Sequence, residues 1–267
     1  MGDFDEDLYL RIFLTPVLRS KKYRPKFGHG DKKSGYTFEE FARLYGLDPF
    51  YSWIGLDTEL MYTAHRAAGG MTSIYRQIGI GCERLFRQII IDATGYIDPK
   101  YAVWSYTAKT KSGKNKTPSL DARLELSRIK TPQVAAKVKQ WIEEYCEHLA
   151  GVQTPAKGAV FEVRQGYKSK DSKRQNADID NATVAWASGY LPVFAIFSSQ
   201  IDTDVVLRYK NSKCGVIVGS EIDNPIVSLY AFVNQVLGYD LAGFFEKNSS
   251  KIKAKIQEVL RTLLSTK

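Results

Sequence analysis

TPSLDARLEL (residues 117–126) and AVFEVRQGY (residues 159–167) decide how this chain is read. Both are rich in β-formers and alternate apolar with polar residues, the period-two signature of strands. Between them, TPQVAAKVKQWIEEYCEHLAG (131–151) repeats its apolar residues at helical spacing. Thr131 is its N-cap, Pro132 sits in the first turn and Gly151 is its stop. Upstream, YAVWSYTAK (101–109) also alternates, and KTKSGKNKTP (109–118) is a lysine-rich turn. Residues 101–126 therefore read as a β-hairpin.

Downstream of the third strand a polar, basic run, KSKDSKRQN (168–176), leads into helical ADIDNATVAWASGY (177–190). LPVFAIFSS (191–199) and CGVIVGS (214–220) follow, short apolar strands of the kind buried on both faces. Helical patterns at about 225–237 and 241–265 close the chain.

At the other end SKKYRPKFGHGDKKSG (20–35) reads as loop. Thr37 and Glu40 form a capping box before FEEFARLYGL. A second helical region, about 55–67, is expected to break at Gly69–Gly70. Thr72 or Ser73 then caps a further helix that runs to about Thr94. The aromatic set Phe38, Phe41, Tyr45, Phe50, Tyr51 and Trp53 is expected in the core of this part. The expected architecture is α/β, a mixed central sheet flanked by helices. A helical subdomain (1–78) precedes a sheet-bearing core with C-terminal helices (79–267).

Composition narrows the function classes. With 44% hydrophobic residues in 267, there is material for a proper core. A net charge of +9 suits a polyanionic partner such as nucleic acid. Cys82, Cys146 and Cys214 are odd in number and far apart, which fits a reducing compartment better than a disulfide framework. His29, His65 and His148 are equally scattered, so no zinc-ligand spacing exists. MGDFDEDLYL is acidic where an export signal is basic, and no apolar run has membrane-spanning length. A cytoplasmic protein without membrane association is expected. Gly79-Ile80-Gly81 lacks the third glycine of a dinucleotide fingerprint, and neither a phosphate loop nor a Gly-x-Ser-x-Gly elbow occurs.

Hydrolysing a phosphodiester at neutral pH calls for a divalent metal that lowers the pKa of a water. Magnesium takes one or two carboxylates and keeps several waters. The sequence offers Asp121 at the start of the second hairpin strand and Glu162 on the third. Period two puts Arg164 on the same face as Glu162, and Lys168 follows four residues later. Individually, these acids also read as a turn residue and a surface ion pair.

RQGYKSKDSKRQNAD (164–178) mixes Lys168, Lys170, Asp171, Lys173, Arg174 and Gln175. These donor and acceptor types read base edges, whereas phosphate binding needs only cations. The alternative is a solvated loop. Lys109, Lys111, Lys114 and Lys116 read either as a phosphate clamp or as a solubilising turn.

A hairpin carrying an Asp, then a Glu-x-cation strand, then a basic Asp-containing stretch and a helix resembles the PD-(D/E)XK nucleases. The cluster is similar to that of CCGG-recognising type II restriction endonucleases. That resemblance implies a restriction-endonuclease-like fold, Mg2+ as cofactor, double-stranded DNA as partner and a homodimer or higher homo-oligomer. It carries the first acid to Asp121 and the triplet acid to Glu162, and the late helical metal-assisting acid to Asp178. Glu83 falls where an early helical glutamate supports the site, and Lys170, Asp171, Lys173 and Arg174 where GC pairs are read. The chain departs from the pattern in placing Arg164 where the family has Lys. Arg164, Lys168 and Lys170 thus all stand as candidates for the catalytic cation.

Overall fold

The computed structural model describes residues 4–27, 34–109, 113, 115–149, 151–166 and 172–265. In chain order its elements begin with helices α1 (Glu6–Arg19), α2 (Phe38–Gly46), α3 (Pro49–Trp53) and α4 (Glu59–Thr94). Short strands β1 (Trp104–Ser105), β2 (Ala108–Lys109), β3 (Asn115–Lys116) and β4 (Ser119–Leu120) lead into β5 (Ala122–Glu125). Then come α5 (Pro132–His148), β6 (Gly158–Arg164), α6 (Ser172–Ala187), β7 (Tyr190–Ile196), α7 (Thr203–Asn211) and β8 (Gly215–Val218). The chain ends with α8 (Leu229–Ala231), which passes into a π-turn, then α9 (Leu241–Lys247) and α10 (Ser249–Leu263).

These elements divide into two compact units. One, Met1–Tyr9 with Cys82–Glu246, holds the sheet. The other, Leu10–Gly81 with Lys247–Lys267, is helical and draws in α10 from the far end of the chain. Among the described residues no helix is long and apolar enough to cross a membrane.

In the sheet unit the strand order is β5-β6-β7-β8, with β5 antiparallel to β6 and the other two pairs parallel. β6 and β7 are central, which is why GAVFEVR and YLPVFAI are almost continuously apolar. Pro192 stands one residue before β8 pairing begins at Val193, where its missing N–H affects the sheet least. Successive residues of β6 face opposite ways. Phe161 packs with Phe86, Trp141 and Phe232, ring centroids 5.2, 6.2 and 5.7 Å away. On the other face Val160 joins Trp104, Leu120, Ala185 and Tyr190. The hairpin expected over 101–126 is present as two small antiparallel pairings, β1 with β4 and β2 with β3.

The helical unit corrects two expectations. Gly69–Gly70 does not end a helix; α4 runs through it for 36 residues. The glycines serve close approach instead: a Cβ on Gly69 would overlap the Tyr23 phenol, and one on Gly70 would lie 2.8 Å from Leu263 Cδ1. Propensity disfavours glycine in a helix by about 1 kcal/mol, and tertiary packing overrides it here. The aromatic set is also not uniformly core. Phe41 is fully buried, but Phe50 and Trp53 are 59% and 83% exposed.

Candidate functional site

Asp121 lies between β4 and β5, and the register Ala122↔Phe161 places it beside Glu162 on the neighbouring strand. Its main-chain N–H donates to the Phe161 carbonyl at 2.9 Å. The Val163 N–H donates back to Asp121 Oδ2 at 2.8 Å. The carboxylate is thus held by the backbone of the strand that carries the second acid. From α4, Arg87 Nε donates to the Asp121 carbonyl at 2.6 Å. Glu83 lies one helical turn before Arg87 and completes a cluster of three acids.

Burial raises the proton affinity of all three, and the Asp121 charge adds to it at Glu162 and Glu83. Burial pushes Glu162 up, Asp121 adds to the effect, Arg164 opposes it, and the carboxyl ends at about 8. Glu83 is lifted to about 6, by burial first and Asp121 second, against Arg87 and Arg164. Burial raises Asp121 as well, while the Val163 N–H and Arg87 pull the other way.

Arg164 is only 6% exposed and braces the opposite side. Its Nη2 lies 2.9 Å from Glu162 Oε1 and 2.7 Å from Asp178 Oδ1 on α6. The Tyr209 hydroxyl, from α7, donates to Asp178 Oδ2 at 2.6 Å. Asp178, expected as a metal-assisting acid, has both oxygens engaged, one by Arg164 and the other by Tyr209. Arg164, expected as a candidate catalytic cation, lies between the Glu162 and Asp178 carboxylates.

The base-reading stretch is only partly described. Lys168, Lys170 and Asp171 lie outside the described residues, as do Lys111 and Lys114 of the hairpin. Lys173 and Arg174 are exposed on the first turn of α6, and Lys109 and Lys116 are exposed on β2 and β3. Gln175 does not face outward. It is 5% exposed and accepts from Arg208 Nη1 at 2.7 Å, while Asn176 accepts from Arg208 Nη2 at 2.5 Å. Arg87, Arg208 and Tyr209 were absent from the sequence reading. The spacing of Arg87 from Glu83 was the available signal; nothing local marks the two α7 residues.

Among the described residues no group of three or more His, Cys, Asp or Glu side chains is arranged to hold a metal ion. Two carboxylates suffice for magnesium, which prefers to keep most of its water. Asp121 and Glu162 are hard oxygen donors side by side, and their mutual repulsion is what a divalent cation relieves. The donor set fits such an ion. No protein-family model matches the chain, and neither does a curated protein or a solved structure.

The raised carboxyls set a pH dependence. A folded-state pKa of about 8 for Glu162, against an ordinary 4.5, means the folded chain holds more protons than the unfolded chain in that window. This group's contribution is therefore full below about pH 4.5 and falls as pH rises towards 8, by at most about 1.4 kcal/mol per pH unit. Glu83 adds to the same slope up to about pH 6. Urea unfolding at pH 5, 6.5 and 8 in metal-free buffer should show the decline, with a flatter profile for Glu162→Gln. Parallel profiles for the two proteins would show that Glu162 does not titrate this way.

Proposed function

We propose that this chain is a magnesium-dependent deoxyribonuclease with a PD-(D/E)XK-type core, and within that class a type II restriction endonuclease. The observation that carries the reading is the pairing of Asp121 with Glu162 across neighbouring strands, where burial first and Asp121 second raise the Glu162 carboxyl to about 8. The order of hairpin, acid-bearing central strand, α6 and a parallel β7 supports a restriction-endonuclease-like core. The net charge of +9 supports a nucleic-acid partner.

In this reading Asp121 and Glu162 hold Mg2+, which when bound lowers the pKa of a coordinated water and offsets charge on the phosphate. The residues of the chain set the geometry. The Val163 N–H fixes Asp121 Oδ2, and Arg164 fixes Glu162 Oε1. Glu83, at about 6, can hold or release a proton near neutral pH beside them. Hydrolysis adds one water across one P–O ester bond; the phosphate gains the hydroxyl and the leaving oxygen gains the proton. With Arg164 braced internally, the cation beside the attacking water is assigned to Lys168 or Lys170. Lys173 and Arg174 approach the duplex. A palindromic target calls for a homodimer or higher homo-oligomer, each copy cutting one strand.

The test is incubation with unmethylated phage DNA, with and without magnesium, for wild type and Asp121→Asn. The asparagine keeps an acceptor for the Val163 N–H. Discrete magnesium-dependent fragments, absent with the variant, are expected. Tight binding with intact DNA under every condition would point instead to a non-catalytic DNA-binding module. Cleavage only of branched or damaged substrates would point to a structure-specific repair nuclease.

A further inference from the structure

A second candidate site lies within the helical unit. A cavity of about 650 Å³ opens between the turn after α1, the start of α2, the first turns of α4 and the last turn of α10. That volume falls within the range of small-molecule and cofactor sites. Four of its lining residues are cations, Lys21, Lys22, Arg24 and Arg66, against one carboxylate, Glu39. Lys21 is ion-paired with Glu258 outside the lining set. The wall is positive on balance.

Two features show that this positive character is built into the unit. Arg66 is only 7% exposed, and its Nη1 donates to the Ser265 carbonyl at 2.6 Å. Guanidinium groups are rarely buried to that degree, because desolvation costs several kcal/mol. The start of α2 also opens on the cavity. Its capping box uses the Thr37 and Glu40 amides, and the Glu39 amide holds its own carboxylate, so the Phe38 amide and the terminus's positive end face the cavity mouth. The Glu39 carboxyl already responds to this terminus: its own backbone N–H and the Thr37 side chain hold it below the ordinary carboxylate range.

The rest of the wall is half aromatic and half hydroxyl, the latter from Ser34, Thr37 and Thr262. Tyr23, Phe38 and Tyr62 line it, with Tyr62 fixed by donating to the Tyr36 carbonyl at 2.9 Å. Tyr23 is seated against Gly69, where any side chain would displace it. Rings interleaved with cations suit a planar base attached to a phosphate, since stacking tolerates any base and the cations take the charge. A bare inorganic anion would leave most of the volume unused.

We infer that this cavity binds a nucleoside phosphate, free or as the end of a strand, with the phosphate at Lys22, Arg24, Arg66 and the α2 terminus. The inference does not depend on the nuclease reading, because every residue it uses belongs to the helical unit.

Calorimetric titration of the full chain in EDTA and low salt keeps the two apart, since no cleavage occurs without a divalent ion. Adenosine 5′-monophosphate is expected to bind, and adenosine to bind at least about tenfold more weakly. Lys22→Gln with Arg24→Gln, both exposed positions, should weaken the monophosphate by about tenfold or more, the scale of losing charge-assisted contacts. Glu39→Gln should tighten it by about threefold by removing the competing carboxylate. Arg66→Gln should abolish binding, but its burial makes the surface double variant the decisive one. A 5′-phosphorylated tetranucleotide that outbinds the mononucleotide identifies a strand end; the reverse order identifies a free nucleotide, and either upholds the site. Absence of monophosphate binding at millimolar concentration, or equal affinity for wild type and the double variant, overturns it.

Discussion

Arg164→Leu lowers the stability of the protein by about 3–5 kcal/mol, because it strands the buried Asp178 carboxylate and leaves Glu162 without its cation. The size of the loss follows from desolvation. A buried pair is worth little relative to an apolar replacement of both partners, but removing one partner leaves the full cost of the other. Asp178→Asn should cost less, about 1–3 kcal/mol, since the amide oxygen can still accept from Arg164 while its NH2 donates to the Tyr209 hydroxyl oxygen. Urea unfolding of both variants at pH 7 reads the difference. A loss under about 1 kcal/mol for Arg164→Leu would mean that the guanidinium does not brace the two carboxylates.

Glu162→Gln should behave oppositely. In the nuclease reading, cleavage falls by on the order of 10³-fold or more, the scale seen when a group stabilising transition-state charge is lost. Stability at pH 7 stays constant or rises, because the substitution replaces a carboxyl already pushed to about 8 with a neutral group of the same shape. The glutamine oxygen can still accept from Arg164 Nη2. Cleavage rates in magnesium at pH 8 and melts in metal-free buffer at pH 7 test the two halves separately. A variant that cleaves normally removes Glu162 from the proposed metal pair. One that is inactive only because it is unfolded removes the claim that the native carboxyl is under electrostatic stress.

Much of the sheet unit was legible in the sequence because its signals are short-range. Period-two alternation in GAVFEVR and the apolar run YLPVFAI need only their neighbours to be recognised as strands. The same periodicity put Glu162 and Arg164 on one face, where their ion pair confirms them. What stayed hidden depends on partners distant in sequence. Asp178 is expected from sequence as a metal-assisting acid, and nothing local shows that Tyr209 and Arg164 engage it. Gln175 is expected to read bases, and nothing local shows that Arg208 grips it. Gly69–Gly70 carries a breaker signal that only the positions of Tyr23 and Leu263 reverse.

Two adjacent residues of α7 hold three positions of α6: Arg208 takes Gln175 and Asn176, and Tyr209 takes Asp178. Asp178 in turn holds Arg164, which holds Glu162. In the nuclease reading, the first turn of α6 also carries Lys173 and Arg174 towards the duplex. Target choice and cutting would then hang from a single linkage instead of belonging to separable modules. Exchanging the contacts on α6 for those of another specificity would drag the acids with them. In that reading, retuning this chain would have to begin on α7, where the linkage is anchored.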